Sequence, residues 1–495
     1  MRLNFFILIF CLVSINSVNG QYVEAINWSQ EVTVDKGEKV LDLFVVNDSN
    51  AGILVESVSG ISTVVFAPEP ERINLTTDAC CSVYRHFVRG DVLSVFTRVN
   101  VEIGASRRFS QYVFNADSVE LQSSYDFGLG HSAGSQAKPT FSYVSPNSEY
   151  AMACQQSPFK RSVKASIKLI LFDDKEQIDA NIPTDFSGDD FEILGASIDD
   201  NKQVYIVAKT GIKLNSPFRR KHLLLSYNHA EQKLTEFDLS SDKLFIQDLL
   251  IRTNSEGIEL ASLYTVEPLE ETYSDGYVYI KTDPIGENLI DRRIRTFSSE
   301  MIASHRSVDD KKSGIEHVFL DGIFTVEGEP LVTFERRFQD QVCTTDPRTG
   351  IVSCTDMFYF KGVSIETPRD RMISYTIQRN QVDVDRLSAY STHAWTSTSE
   401  GQMIFYNDHF KNQNQEGERM MNNASRSALR FVYVDHRGFS HTGVLTEEKQ
   451  NDFVFVPMVG IETSGNWAFL IAKDGREHRI GKLNLNELLP RPKGN

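Results

Sequence analysis

Short apolar runs recur along this chain. Each is followed by a polar turn opening on Asp, Asn or Lys, and then by a run in which apolar and polar residues alternate. The unit reads IKLILF-DDKEQ-IDANI from Ile167, LLLSY-NHAEQK-LTEFDL from Leu223 and YVYIK-TDPIGEN-LIDRRI from Tyr277. It returns as LRFVYV-DHRGF-SHTGVL from Leu429 and WAFLIA-KDGRE-HRIGKL from Trp467. A second apolar run precedes each copy: YAMACQQ, QVYIVAKT, IELASLYT, PLVTFERRF and QMIFYNDHF. Val, Ile, Tyr and Phe dominate these runs, and such residues fit a pleated, partly buried surface. The Asp, Asn and Gly between them are turn formers. A helical period is sustained nowhere; only FSSEMIASHRSVDDKK (297–312) has the pattern of a short helix.

Strand, loop, strand, turn, strand is the order of a propeller blade, and the first three copies start about 55 residues apart, within the range of a four-stranded blade. Two packed β-sandwiches would use similar strands without that steady spacing. The expected fold is all-β, a β-propeller of about seven four-stranded blades, with six or eight as neighbouring counts. Insertions at 291–330 and 381–425 disturb the later spacing. An open ring leaves strand edges unpaired, so a strand from the N-terminal part, around Ala51 to Phe66, is expected to complete the last blade begun at Trp467. The expected divisions are a leader at 1–20, a strand-rich region at 21–135 (early blades or a cap, with the closing strand) and blades over 136–490.

The stretch from Leu331 to Asn380 reads as a long hairpin, two strand-like runs flanking a polar turn with Cys343 and Cys354 placed symmetrically around it. Opposed cross-strand residues come within disulfide reach, so a Cys343–Cys354 bond is expected. It would clamp the hairpin locally, contributing about 3 kcal/mol at most for so short a loop. Cys80, Cys81 and Cys154 have no assigned partners, and a bond to Cys154 stays open.

The chain is 495 residues long and acidic, with a net charge of −16. Arg2, the apolar run from Phe5 to Ile15 and the small residues before Gln21 have the form of a secretory leader. The apolar run is too short to span a membrane, and bulky Phe10 before Cys11 argues against a lipoprotein signal. Removing the leader takes one positive charge and no acid, moving the net charge from −16 to −17. Nucleic acid needs a basic patch, which an acidic, mixed surface does not offer. The expectation is a secreted or periplasmic protein without a membrane span, whose export permits disulfides.

From about Lys138 to the C-terminus the chain resembles a family of secreted β-propeller proteins of Bacteroidota-type bacteria. The resemblance is carried by GEPLVTFERRF, CTTDPRTGIVSCTDMFYF, SYTIQRNQ and QMIFYNDHFKNQ, and by the closing LRFVYVDHRGFSHTGVL and WAFLIAKDGREHRIGKLNL. It implies the blade order and the long hairpin, and supplies no catalytic residues to carry over.

Gly130-His131-Ser132-Ala133-Gly134 matches the GxSxG nucleophile elbow, which works only between a buried strand and a helix. Here SSYDFGL precedes it and Pro139 follows, so it reads as a loop. No metal motif is present, and no cofactor is expected. Asp383 and Asp385, two apart on one strand face, are the nearest approach to a calcium site, but a solvated acidic face is the simpler reading. Sequons at Asn27, Asn47, Asn74 and Asn423 would accept glycans in a eukaryote; the bacterial resemblance implies bare side chains. Tyr390, His393 and Trp395 gather aromatic and hydrogen-bonding groups, and are the candidate ligand-binding residues, although a Trp that closes a blade core fits the pattern too. Three functional readings follow: a binding or structural module for a protein or glycan ligand, a propeller hydrolase acting on glycan or peptide through carboxylates near the channel, and a cell-surface assembly component. The first is preferred, because no catalytic set is legible.

Overall fold

The computed structural model describes residues 19–489 apart from short stretches, the longest being 129–139, 306–313, 213–219, 413–418 and 447–452. The α-helices among the described residues are the short Ser299–His305 and Leu485–Leu488; nearly everything else regular is strand. None of these helices is long and apolar enough to cross a membrane.

Successive strands pair into eight sheets of four or more strands among the described residues. We number them as blades 1 (39–74), 2 (81–127), 3 (141–187), 4 (191–238), 5 (245–296), 6 (318–383), 7 (393–444) and 8 (454–484). Eight is the upper neighbour of the expected count, because the region before residue 135 holds two full blades.

Packing closes the ring. The apolar core divides into eight clusters, each joining two consecutive blades, and one of them joins blade 8 back to blade 1. The period of two along a strand explains the division. In Gln203–Thr210, Val204, Ile206 and Ala208 pack toward blade 3, while Tyr205 and Val207 pack toward blade 5. The middle strands of a blade are therefore buried on both faces and read as continuous apolar runs; every residue of Gly257–Thr265 is buried. The outer strands alternate, as Gln177–Ser187 does, because one face meets solvent. These two strand types are the two halves of the sequence repeat.

The closing strands differ from expectation. Ile26–Trp28 and Val32–Thr33 pair with Glu477–Asn484 at the outer edge of blade 8. Ala51–Ser57 and Gly60–Phe66 instead form the middle of blade 1. The reason is burial. Ala51–Val55 is buried throughout and needs a neighbour on each face, whereas a closing edge strand is short and half-exposed. Asn19–Gln21, across the expected cleavage point, adds a parallel strand to Ser440–Val444 of blade 7.

Five innermost strands carry a register shift, between Val40 and Asp42, Val83 and Arg85, Ile193 and Gly195, Ile246 and Leu249, and Leu320 and Gly322. A bulge leaves a residue outside the ladder and re-aims its side chain. In blade 6 that residue is Asp321.

The long hairpin consists of Glu329–Thr345 and Val352–Glu366. Its root lies inside blade 6, and its outer part, from Gln339 to Thr345 and Val352 to Thr355, is exposed. Asp346 builds the turn: its Oδ1 accepts from the Arg348 amide at 2.8 Å and its carbonyl accepts from the Gly350 amide at 2.8 Å. Gly350 has φ 68°, which a side chain would disfavour. Cys343 and Cys354 face each other directly, Cα atoms 4.0 Å apart, and are bonded. Cys154 is a buried free thiol, so the bond to it left open by the sequence is absent; Cys80 lies outside the described residues.

Candidate functional site

Blades 6 and 7 meet at a buried ionic cluster with no counterpart in the apolar pattern around it. Asp321 reaches it from the bulge of Val318–Val326, Glu335 from the buried middle strand of blade 6, Arg379 from Ser374–Asp383, and His393 from the first residue of blade 7's inner strand. Nε2 of His393 lies 2.9 Å from Asp321 Oδ2, and Nδ1 lies 3.3 Å from Glu335 Oε1. Arg379 donates to the same Glu335 oxygen, and Thr392 Oγ1 does so at 3.1 Å. Side chains of Glu335 and His393 are 1% exposed, against 25% for Asp321, which is thus the solvent end of the chain of contacts.

Burial alone would discharge His393, but carboxylates on both ring nitrogens win and lift it to about 9. Burial likewise opposes the charge on Glu335, yet His393 and Arg379 hold its carboxyl well below the usual range. A charged imidazole with both nitrogens engaged is not a base near neutral pH. The cluster instead acts as a brace. Removing one member of such a buried set typically costs about 3–5 kcal/mol, because the partner charge is stranded.

What the brace holds is the strap Tyr390–Thr392. Thr392 has φ 80°, a strained conformation for a β-branched residue. Two bonds keep it there: its hydroxyl to Glu335, and its amide to Gln381 Oε1 at 3.0 Å. Asn407 Nδ2 donates to the Tyr390 carbonyl at 3.0 Å and to the Phe455 carbonyl at 2.8 Å, tying the strap to blade 8 as well.

The other side of the strap lines a cleft of about 1020 Å³ beside the outer part of the hairpin, next to its disulfide. Thr355, Asp356 and Phe358 line it from the hairpin, Val382 and Asp383 from the adjoining strand, and Tyr390, Ser391, Asn422 and Asn423 from the strap and the loop before blade 7's next strand. Hydroxyls, amides and carboxylates surround two aromatic rings, with no Lys or Arg among the described lining residues. Asn423 Oδ1 accepts from the Ser425 amide at 3.0 Å, which fixes that loop.

The three residues singled out from sequence therefore part company. Tyr390 lines the cleft, His393 is buried behind it, and Trp395, 38% exposed, sets its ring on Phe324 with centroids 4.1 Å apart. Asp383 lines the cleft, whereas Asp385 and the motif Gly130–Gly134 lie outside the described residues. Asp321, Glu335 and Arg379 were not foreseen. One signal was present: an acid within the buried run LVTFE has to find a buried partner.

Glu462, on Ile461–Ser464 of blade 8, is a half-buried acid. Burial, with Asp42 on the neighbouring inner strand, pushes it up to about 8. Asp42 itself pairs with His86 at 2.7 Å.

No protein-family model and no curated protein matches the chain. Among solved structures it is similar to the WD40 domain of SCAP from fission yeast (10% identity, 93% of this chain and 98% of that one, TM-score 0.41). It is also similar to the β-propeller domain of the Trilobed protease from Pyrococcus furiosus (7%, 83% and 97%, 0.38). A PL25 ulvan lyase gives 9%, 82% and 95%, with a TM-score of 0.37. Such identities concern fold alone, and the blade assignment above rests on this chain's own strand pairings.

Proposed function

We propose that the chain is an exported β-propeller binding module that holds a neutral glycan in the cleft beside the clamped hairpin. One observation carries the reading: a polar cleft with aromatic walls is bounded by a disulfide-clamped hairpin on one side and a strained, ionically braced strap on the other. Strain that the surroundings hold in place points to a position where geometry matters. Carboxylate and amide groups beside rings suit vicinal hydroxyls and the apolar face of a sugar, and the absence of cations disfavours acidic ligands. The clamp and the brace support prior ordering of the walls, which lowers the entropy lost on binding. A glycan array probed with the purified protein tests this. Capture of neutral glycans in preference to sulfated or sialylated ones is expected; preference for acidic glycans would refute it.

A second reading, glycan hydrolysis, is favoured by Glu462 alone. A carboxyl raised to about 8 beside a second carboxylate has the form of a general acid. Turnover of chromogenic glycosides that Glu462→Gln abolishes would establish that reading over the binding one.

A further inference from the structure

A second cavity, of about 740 Å³, opens where blades 8, 1 and 2 meet near the ring closure. Its wall is apolar: Val40 and Leu41 come from blade 1, Val83 from blade 2, and Val456, Val459 and Ile471 from blade 8. Met458, 54% exposed, stands at its edge. Four cations line it as well, Lys36, Lys39, Lys473 and Arg476, and none of them makes an ion pair among the described residues. Two carboxylates share the lining. Glu38 is already neutralised by Arg72 at 2.6 Å, and Asp35 is the other. His86 is occupied by Asp42, and burial pushes His478 down to about 4, so it stays neutral near pH 7.

Unpaired cations around an apolar hollow are out of keeping with a chain of net charge −16. Lys164, Lys202 and Lys233, by contrast, each pair with a carboxylate. The cleft beside the clamped hairpin shows the opposite arrangement, with acids and amides and no described cation. The two cavities thus differ in the charge they accept.

We infer that this cavity binds a small amphipathic anion, an apolar body carrying one carboxylate or sulfonate. The hydrocarbon or aryl part fills the space between Val40, Val456 and Ile471, and the acidic head lies at the rim among Lys36, Lys39 and Arg476. The volume is within the range of small-molecule sites, about 300–1,000 Å³. Charge complementarity at the rim sets the sign of the ligand, and the apolar wall supplies most of the affinity.

The probe is 8-anilinonaphthalene-1-sulfonate, titrated into the full folded chain and followed by fluorescence. One saturable site is expected, with dodecanoate displacing the dye and dodecyltrimethylammonium failing to do so. The neutral analogue N-phenyl-1-naphthylamine should bind at least about tenfold more weakly. Lys36→Glu with Arg476→Glu, both exposed and unpaired, should weaken the dye by a similar factor while leaving the melting temperature unchanged. Asp356→Ala with Asn422→Ala, in the other cleft, should leave dye binding as it was. Absence of a saturable site overturns the inference. Equal binding of the neutral analogue, or indifference to the Lys36/Arg476 substitutions, does the same. None of these results bears on the glycan cleft.

Discussion

His393 shows how far a single side chain here depends on its neighbours. Its proton is held by Asp321 and Glu335, so the folded value, about 9, stands above the ordinary 6.5. Stability from that proton is fully present below about pH 6.5 and is lost as the pH rises through about 9. His393→Gln should therefore cost about 3 kcal/mol more in urea unfolding at pH 6 than at pH 9.5, the gap to wild type narrowing as the pH rises. A gap independent of pH would show a neutral imidazole. Glu366 runs the same way with the opposite consequence near neutrality. Burial raises it from 4.5 to about 7, so its contribution is present below about pH 4.5 and lost as the pH climbs through 7. Glu366→Gln should melt higher than wild type at pH 8 and the same at pH 4. At this scale the sequence was only partly legible. His393 and Tyr390 stood out beside hydrogen-bonding neighbours, but Glu335 lies 58 residues from His393 and Asp321 lies 72 away, so the cluster exists only once two blades are side by side.

Among the elements, the hairpin was the most legible, because two cysteines placed evenly about a DPRTG turn constrain register by themselves. Its closed loop is short, with a separation of 11 residues, so the bond steadies the tip more than the ring. Cys343→Ser with Cys354→Ser should raise amide hydrogen exchange across 339–356 while the middle strands of blade 6 keep their protection. Loss of protection throughout the blade would mean the bond supports the fold. The innermost strands were the least legible. Their bulges depend on which residue the partner strand presents, and alternation along one strand does not encode that. The closing edge was misread for a related reason: Ala51 to Phe66 is the strongest β pattern near the N-terminus, and such strength belongs in the middle of a blade, not at its edge.

For the molecule as a whole, eight clusters in a ring imply that the last one, joining blades 8 and 1, decides whether the ring is closed. Val32 and Val34 pack into that cluster from the N-terminal side, and Ile26 packs into the neighbouring one between blades 7 and 8. A chain starting at Lys36 should lose about 2 kcal/mol for each of these buried side chains, in addition to the edge pairing of Glu477–Asn484. Its melting temperature should fall well below that of the full chain; an unchanged value would show that the closing strands are dispensable. The closed ring presents the clamped hairpin and the braced strap as the walls of one cleft, and the account stands or falls on that cleft. Titration calorimetry with the best neutral glycan, run on wild type and on Asp356→Ala with Asn422→Ala, tests it most directly. The account predicts one site per chain and a loss of about tenfold or more in the variant, at unchanged melting temperature. Equal affinity in the two proteins, or no neutral glycan bound by either, would contradict it.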